Sequence, residues 1–158
     1  MDRVASRSGV GKPTIYRNWA NASELAMAAL MLDTTADAAH MGARLQSALR
    51  EQMRSLVAAF STTRGRQVAL TLAASDPESE MARAFRNKVI LSSRESGRKL
   101  IGDAVSRGEI RNPADIEVKL DMIYAPIFYR LLIGHMPLNL EFAESLAASG
   151  MVLLQAKL

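Results

Sequence analysis

The apolar positions of this chain follow the three-and-four spacing of α-helices over most of its length. The clearest example lies between residues 36 and 60. One face of that segment collects these residues: Leu45, Ala48, Leu49, Gln52, Met53, Leu56, Val57 and Phe60. Charged and polar residues fall on the opposite face, as in a helix with one buried side. No segment alternates apolar and polar residues for long, so the pattern predicts an all-α protein.

Capping residues and glycines predict where the helices begin and end. Asn112 and Asn139 are residues of the type that precedes a helix, and Gly108 and Gly134 are of the type that follows one. The predicted helix that ends before Gly108 is long, and we expect a break near Gly97. The predicted helices cover residues 1–8, 12–19, 22–32, 36–60, 65–74, 77–107, 113–133 and 140–155.

Composition narrows the possible functions. Hydrophobic residues make up 49% of the 158 residues, enough to bury a core. The net charge of +4 is compatible with nucleic-acid binding but is weak evidence for it. Cysteine is absent, which excludes disulfides and cysteine chemistry. We find no membrane-spanning run and no signal peptide, and we expect a cytoplasmic protein.

The residues that an enzyme would need are missing from the pattern. His40 and His135 have no companion at metal-ligand spacing, and there is no glycine-rich phosphate loop or nucleophile elbow. The sequence therefore predicts no catalytic residue, no metal and no cofactor. The basic run from Arg83 to Lys99, with Glu95 as its lone acid, is interpreted as a solvated face.

The first 19 residues contain the most informative pattern. Gly9 supplies a tight turn between two short helices, and Val10 is expected to fill the inside of that turn. In the second helix Ile15 and Trp19 are four residues apart and should both pack inward. The neighbouring, outward face collects Lys12, Pro13, Tyr16 and Arg17. An apolar inner side with a basic, hydrogen-bonding outer side is what a helix needs to read the major groove.

This pattern resembles the DNA-binding signature of the TetR family. That signature has an Ile-Ala pair, an Ala-Gly-Val turn and a Lys-x-Thr-Leu-Tyr-x-x-Phe recognition helix. At the same spacing, Val4 to Trp19 contain Val-Ala, Ser-Gly-Val and Lys-Pro-Thr-Ile-Tyr-Arg-Asn-Trp. Asn21, Glu24 and Leu25 match the start of the family's fourth helix. Further on, residues 124–138 are loosely similar to the C-terminal domain of one branch of the family.

The resemblance implies two domains. Residues 1–34 would form a helix-turn-helix region, and residues 35–158 a helical bundle for ligand binding and dimerisation. It implies that Thr14 and Tyr16 reach phosphates or base edges. The full set of candidate DNA-binding residues is Lys12, Pro13, Thr14, Tyr16, Arg17 and Asn18. The alternative is that these are plain surface residues of a small helical bundle.

Two departures from the family pattern affect this interpretation. The family has a whole helix before the one that begins here, and Met1 matches a position inside the family's second helix. We therefore expect an N-terminally shortened three-helix module in which Val4, Ile15 and Trp19 lack their covering helix. Where Ala22 stands, the family often has a lysine aimed at a phosphate, so one DNA contact fewer is expected.

The rear of the chain suggests a dimer. The predicted helix 113–133 is apolar on two sides and must be covered twice. One side has Ile116, Leu120, Ile123, Tyr124, Ile127 and Leu131; the other has Val118, Met122, Ala125, Tyr129 and Leu132. Small residues of helix 140–155, such as Ala147 and Gly150, would let a neighbouring helix come close. In the resembled family these two helices form the dimer, whereas the alternative is an internal helix of a monomer.

A ligand pocket is the remaining expectation for the rear domain. Gln52 is a single hydrogen-bonding group on an otherwise apolar face, and nearby aromatic and methionine side chains could surround a small apolar molecule. The candidate ligand-binding residues are Gln52, Met53, Phe60, Phe85, Tyr124 and Phe128. The same side chains could equally be ordinary core.

The function predicted from the sequence is a homodimeric, ligand-responsive repressor that binds a double-stranded DNA operator and is released by a small apolar effector. The alternative is a dimeric small-molecule-binding module that does not bind DNA because its first helix is missing. A third alternative is a small helical enzyme.

Overall fold

The computed structural model describes residues 2–19, 25 and 43–156, and all regular secondary structure in these residues is helical. One segment, Arg86–Leu91, forms a π-helical turn. The helices are α1 Asp2–Ser8, α2 Lys12–Asn18, α3 Leu45–Ser61, α4 Thr63–Ala73, α5 Glu80–Phe85, α6 Ser92–Ser106, α7 Ile116–Ile133 and α8 Leu140–Gln155. Apart from Leu25, the predicted helix 22–32 and the domain boundary at residue 34 lie outside the described residues.

Helix α3 is the centre of the rear domain and packs against α4, α6, α7 and α8. The eight residues predicted to share its inner face, from Leu45 to Phe60, are all buried, which confirms the predicted helix face. Ser47 and Glu51 on the other side are exposed. Within the described residues, no helix is both long and apolar enough to cross a lipid bilayer.

Helix α3 begins at Leu45, and residues 36–42 of the predicted helix 36–60 lie outside the described residues. Arg44 is extended, with ψ of 144°, and offers no side-chain cap. Instead, the backbone N–H of Leu45 donates a 2.9 Å hydrogen bond to the carboxylate of Glu109, 64 residues further along the chain. A carboxylate at this end is favourable because the first N–H groups of a helix have no partner within the helix.

Two predicted features of the later helices are wrong. Asn112 does not cap α7, which begins at Ile116 after Asp115 in the left-handed region at φ 50°. The chain stays non-helical up to that point while it carries Ile110 into the core. The expected break at Gly97 is also absent, since α6 runs through it, and the irregular turn lies at Arg86–Leu91.

Other predicted ends are confirmed. The side chain of Asn139 accepts a 3.0 Å hydrogen bond from the backbone N–H of Phe142 and so caps α8. Gly108 and Gly134 follow α6 and α7 with φ of 73° and 68°. These positive angles are ones that glycine adopts without steric cost, which explains why the helices stop there.

Candidate DNA-binding face and ligand cavity

The turn between α1 and α2 depends on Gly9, whose φ is 69°, as its position in the sequence predicts. Ala5 of α1 and Ile15 of α2 are buried, at 8% and 3% exposure, and these short helices pack against each other. Val10 does not fill the inside of the turn, because it is 42% exposed. Its backbone N–H bonds the Ser8 hydroxyl instead, so the turn is closed by polar contacts rather than by a buried side chain.

Helix α2 separates an inner from an outer side. Pro13 stands in its first turn, where the missing N–H has no partner to lose. Ile15 is buried and Trp19 is half-buried, so the inward packing predicted for this pair is complete only for Ile15. The candidate DNA-binding residues are all exposed: Lys12, Pro13, Thr14, Tyr16, Arg17 and Asn18.

Some of these exposed groups already have polar partners within the chain. The ammonium of Lys12 lies 3.1 Å from the carboxylate of Asp2 on α1. The side-chain amide of Asn18 donates a 2.8 Å hydrogen bond to the carbonyl of Thr14, within its own helix. Both bonds are exposed and therefore weak enough to exchange for a phosphate. Tyr16 is half-exposed on the same helix.

The candidate ligand residues divide into two groups. Gln52 is engaged inside the core, because its Oε1 accepts a 2.6 Å bond from the Tyr124 hydroxyl and its Nε2 donates to the carbonyl of Ser93. Met53 is fully buried. Three phenylalanines, Phe60, Phe85 and Phe128, form an edge-to-face cluster with ring centroids 5.4–6.4 Å apart.

A cavity of about 440 Å³ lies beside that aromatic cluster. Its walls come from α4, the following loop, α5, the π-helical turn and the last turns of α7. Phe85 and Phe128 line it, whereas Gln52, Met53, Phe60 and Tyr124 do not. The lining residues are Ala69, Leu72, Ala73, Ser75, Pro77, Ala82, Phe85, Arg86, Ile90, Phe128 and Leu132.

The outer side of α7 forms a second feature, which we call the α7 apolar face and define as Val118, Met122, Ala125, Tyr129 and Leu132. All five residues are exposed, Met122 at 55% and Tyr129 at 58%. The opposite side of α7, around Leu120, Ile123 and Ile127, is buried in the core. The two apolar sides predicted from the sequence are therefore present, one packed and one open.

Comparison with known proteins agrees with this architecture. Residues 41–149 match the family described as "Tetracyclin repressor-like, C-terminal domain". The chain belongs to the TetR family. It is also 30% identical over 160 residues to the "Uncharacterized HTH-type transcriptional regulator YdeS" of Bacillus subtilis (strain 168), an alignment that covers 99% of this chain and 79% of that protein.

Family membership makes this chain a transcriptional regulator. The TetR-like domain match lies wholly within the predicted rear domain, residues 35–158, and contains the cavity and the α7 apolar face. Several cavity residues, among them Leu72 and Ile90, were not predicted from the sequence. Arg86 and Ile90 lie in the π-helical turn, whose altered hydrogen bonding shifts side-chain positions away from ordinary helical spacing.

Proposed function

We propose that this TetR-family protein is a repressor that binds operator DNA as a homodimer and releases it when a small molecule enters the rear cavity. The observation that carries the proposal is the geometry of α2. Ile15 anchors that helix, the chain enters it through a left-handed Gly9, and its remaining side presents basic and hydrogen-bonding groups to solvent. A regulator that acts on DNA is expected in the bacterial cytoplasm.

On DNA, α2 would lie in the major groove. Arg17 and Lys12 would approach phosphates, and Tyr16 and Thr14 would approach phosphates or base edges. Lys12 would leave Asp2 for a phosphate, and Asn18 would turn its amide from its own helix towards DNA. Each new phosphate contact would release condensed cations, which makes binding salt-dependent.

The α7 apolar face supports the dimer. Contiguous exposed apolar surface on a small protein marks an interaction site. A two-fold contact through this face and α8 would need to bury about 1,200–2,000 Å² to be stable. Such a dimer would set two copies of α2 into successive major grooves about 34–36 Å apart. Ala147 and Gly150, expected to receive a neighbouring helix, are buried within the chain, where Gly150 approaches Leu49 and Ile123.

The cavity supports the ligand response. Its size falls within the roughly 300–1,000 Å³ of ordinary small-molecule sites. A ligand weakens DNA binding only if it prefers a conformation in which the two recognition helices no longer match the groove spacing. Among the cavity walls, α4 packs on both α3 and α7, and Phe85 of α5 contacts the ring of Phe60 on α3, so a ligand that shifts these elements can shift the dimer.

The test is fluorescence anisotropy with DNA from upstream of the protein's own gene, measured at several salt concentrations. Tyr16→Ala should weaken binding, and Lys12→Ala should weaken it and reduce the salt slope by about one unit. Asp2→Asn should strengthen DNA binding and increase the salt slope, since it removes the carboxylate that competes for Lys12. Lys99→Ala, an exposed lysine on α6, is the matched control and should change neither quantity.

The alternative, a dimeric small-molecule-binding module without DNA binding, predicts a different result. It requires that the protein dimerise and bind small molecules while no DNA fragment is retained at any salt concentration. Wild-type affinity for DNA in both the Tyr16 and the Lys12 variants would instead show that α2 is not the recognition helix.

A further inference from the structure

One charged side chain lies in the part of the cavity wall that the structure describes. The surface of the cavity is otherwise formed by apolar and small side chains, with Leu72, Phe85, Ile90, Phe128 and Leu132 as the largest. Among the described residues that line it, Arg86 is the only ionisable one. None of the described lining residues is acidic, so the described part of the wall presents one cation beside an apolar surface.

Arg86 lies at the edge of the cavity, where its guanidinium can contact a bound ligand. It is the first residue of the π-helical turn, and its side chain is 45% exposed, so it lies between the chamber and solvent. Its Nη2 donates a 2.7 Å hydrogen bond to the carbonyl of Pro77, which fixes one edge of the guanidinium. The same nitrogen is 3.9 Å from the carboxylate of Glu78, beyond hydrogen-bond distance.

We infer that the cavity takes an amphipathic carboxylate, with the apolar body among Phe85, Ile90 and Phe128 and the carboxylate on the guanidinium of Arg86. This inference rests on the proposed ligand response and names the chemical class of its effector. A guanidinium matches a carboxylate with two parallel hydrogen bonds, and charge-assisted bonds of this kind are stronger than neutral ones.

Ligands with a neutral or a cationic head group fit this cavity less well than a carboxylate. A neutral amide could accept a hydrogen bond from Arg86, but it lacks the negative charge and the second acceptor oxygen of a carboxylate. A cationic head group would be repelled by Arg86, so the same cavity discriminates against both. Glu78 pairs with Arg86, but it is 72% exposed and the ion pair is weak at 3.9 Å. A ligand carboxylate can therefore replace it, with Glu78 turning to solvent.

Three probes of one chain length separate the apolar and ionic contributions: octanoate, octanamide and octylammonium. Calorimetry at neutral pH should show octanoate binding about tenfold more tightly than octanamide, with octylammonium weakest. Arg86→Gln should lower octanoate affinity to that of octanamide while leaving octanamide unchanged. Arg86→Lys, which keeps the charge but loses the planar fork, should fall between.

Two further variants control for position. Arg83→Gln removes an exposed arginine from the same helical segment, outside the cavity, and should leave all three affinities unchanged. Ala82→Met fills the cavity from α5 and should weaken octanoate and octanamide together. Melting temperatures of all variants, measured without ligand, should remain near that of the wild type because these residues are at least partly exposed.

The possible failures are distinguishable. If octanamide binds as tightly as octanoate, or if Arg86→Gln keeps the preference for octanoate, the carboxylate inference is overturned while the ligand-binding cavity stands. If none of the probes binds up to its solubility limit, both the inference and the ligand response proposed for this cavity are overturned.

Discussion

The hydroxyl of Tyr124 on α7 donates a 2.6 Å hydrogen bond to the side-chain carbonyl of Gln52 on α3, inside the apolar core. The amide nitrogen of Gln52 donates in turn to the backbone carbonyl of Ser93 on α6, at 3.2 Å. This buried polar pair therefore ties three helices together. Hydrogen bonds are strong in such low-dielectric surroundings, and an unpaired member is correspondingly costly.

Substitution of Tyr124 tests this pair. Tyr124→Phe removes the donor and leaves the Gln52 oxygen in the core without it, so we expect a loss of about 1–3 kcal/mol in the free energy of unfolding. In the Tyr124→Phe, Gln52→Leu double variant the losses should be less than additive, with a coupling of about 0.5–3 kcal/mol. Urea denaturation of the wild type, the two single variants and the double variant measures these losses. Tyr129→Phe, at an exposed tyrosine of the same helix, is the control; strict additivity would contradict the pairing.

The two glycines of α6 provide a matched comparison. A Cβ at Gly97 would overlap the Tyr124 hydroxyl and lie 3.0 Å from two of its ring carbons, whereas a Cβ at Gly102 would meet nothing within 4 Å. Gly97→Ala should therefore destabilise the protein by about 1–3 kcal/mol through overpacking. Gly102→Ala should stabilise it by up to about 1 kcal/mol, since alanine is the better helix former. Thermal unfolding of both variants is the measurement, and shifts of the same sign would refute the packing argument.

A charge on the α7 apolar face should break the proposed dimer. Met122→Glu places a carboxylate in the middle of that face, where a partner would have to bury it unpaired. We expect a monomer by light scattering at micromolar concentration, with the helical circular dichroism preserved. Leu70→Glu is the control, because Leu70 is a similarly exposed apolar residue on α4. If the wild type is itself a monomer, or if Met122→Glu remains dimeric, the interface lies elsewhere or does not exist.

The lowered pKa of Glu117 predicts part of the pH dependence of the protein's stability. Hydrogen bonds from Arg98 and then Arg94 hold the pKa of this carboxyl below its ordinary value of 4.5. Because the folded pKa is the lower one, the ionised carboxylate contributes stability above pH 4.5, and that contribution is lost as the pH falls through the lowered folded pKa. Glu117→Gln should therefore destabilise the protein at pH 7, by an amount that shrinks towards pH 3.

The measurement is urea denaturation across that pH range, with Glu51→Gln as the control at an exposed carboxylate of α3. A loss of stability in Glu117→Gln that stays constant down to pH 3 would mean that the ion pairs between Glu117 and α6 contribute nothing to stability.

These contacts also revise the interpretation of the basic run from Arg83 to Lys99. Arg94 is not simply solvated, since its side chain is only 13% exposed and reaches Glu117 and Asp121 on α7.

The elements that the sequence predicts well depend on short-range physics. Burial of one face of α3 follows from apolar residues three and four positions apart, and the cap at Asn139 involves an N–H only three residues away. The left-handed turn at Gly9 follows from the conformational freedom of a residue without a Cβ. These interactions are completed within a few residues, so the local sequence determines them. The α2 surface with its exposed candidate residues follows in the same way.

Tertiary structure decided what depends on partners far along the chain. The N–H of Leu45 at the start of α3 bonds to Glu109, 64 residues away, and the side chain of Gln52 bonds to Tyr124, 72 residues away. Ile110 is buried in the core before α7 begins at Ile116. The cavity is a further case, because the π-helical turn brings Arg86 and Ile90 beside Phe128. Helical spacing states which side of a helix is apolar, but not which neighbour covers it or where packing leaves a space. Both are determined by how all the helices pack against one another in the folded protein.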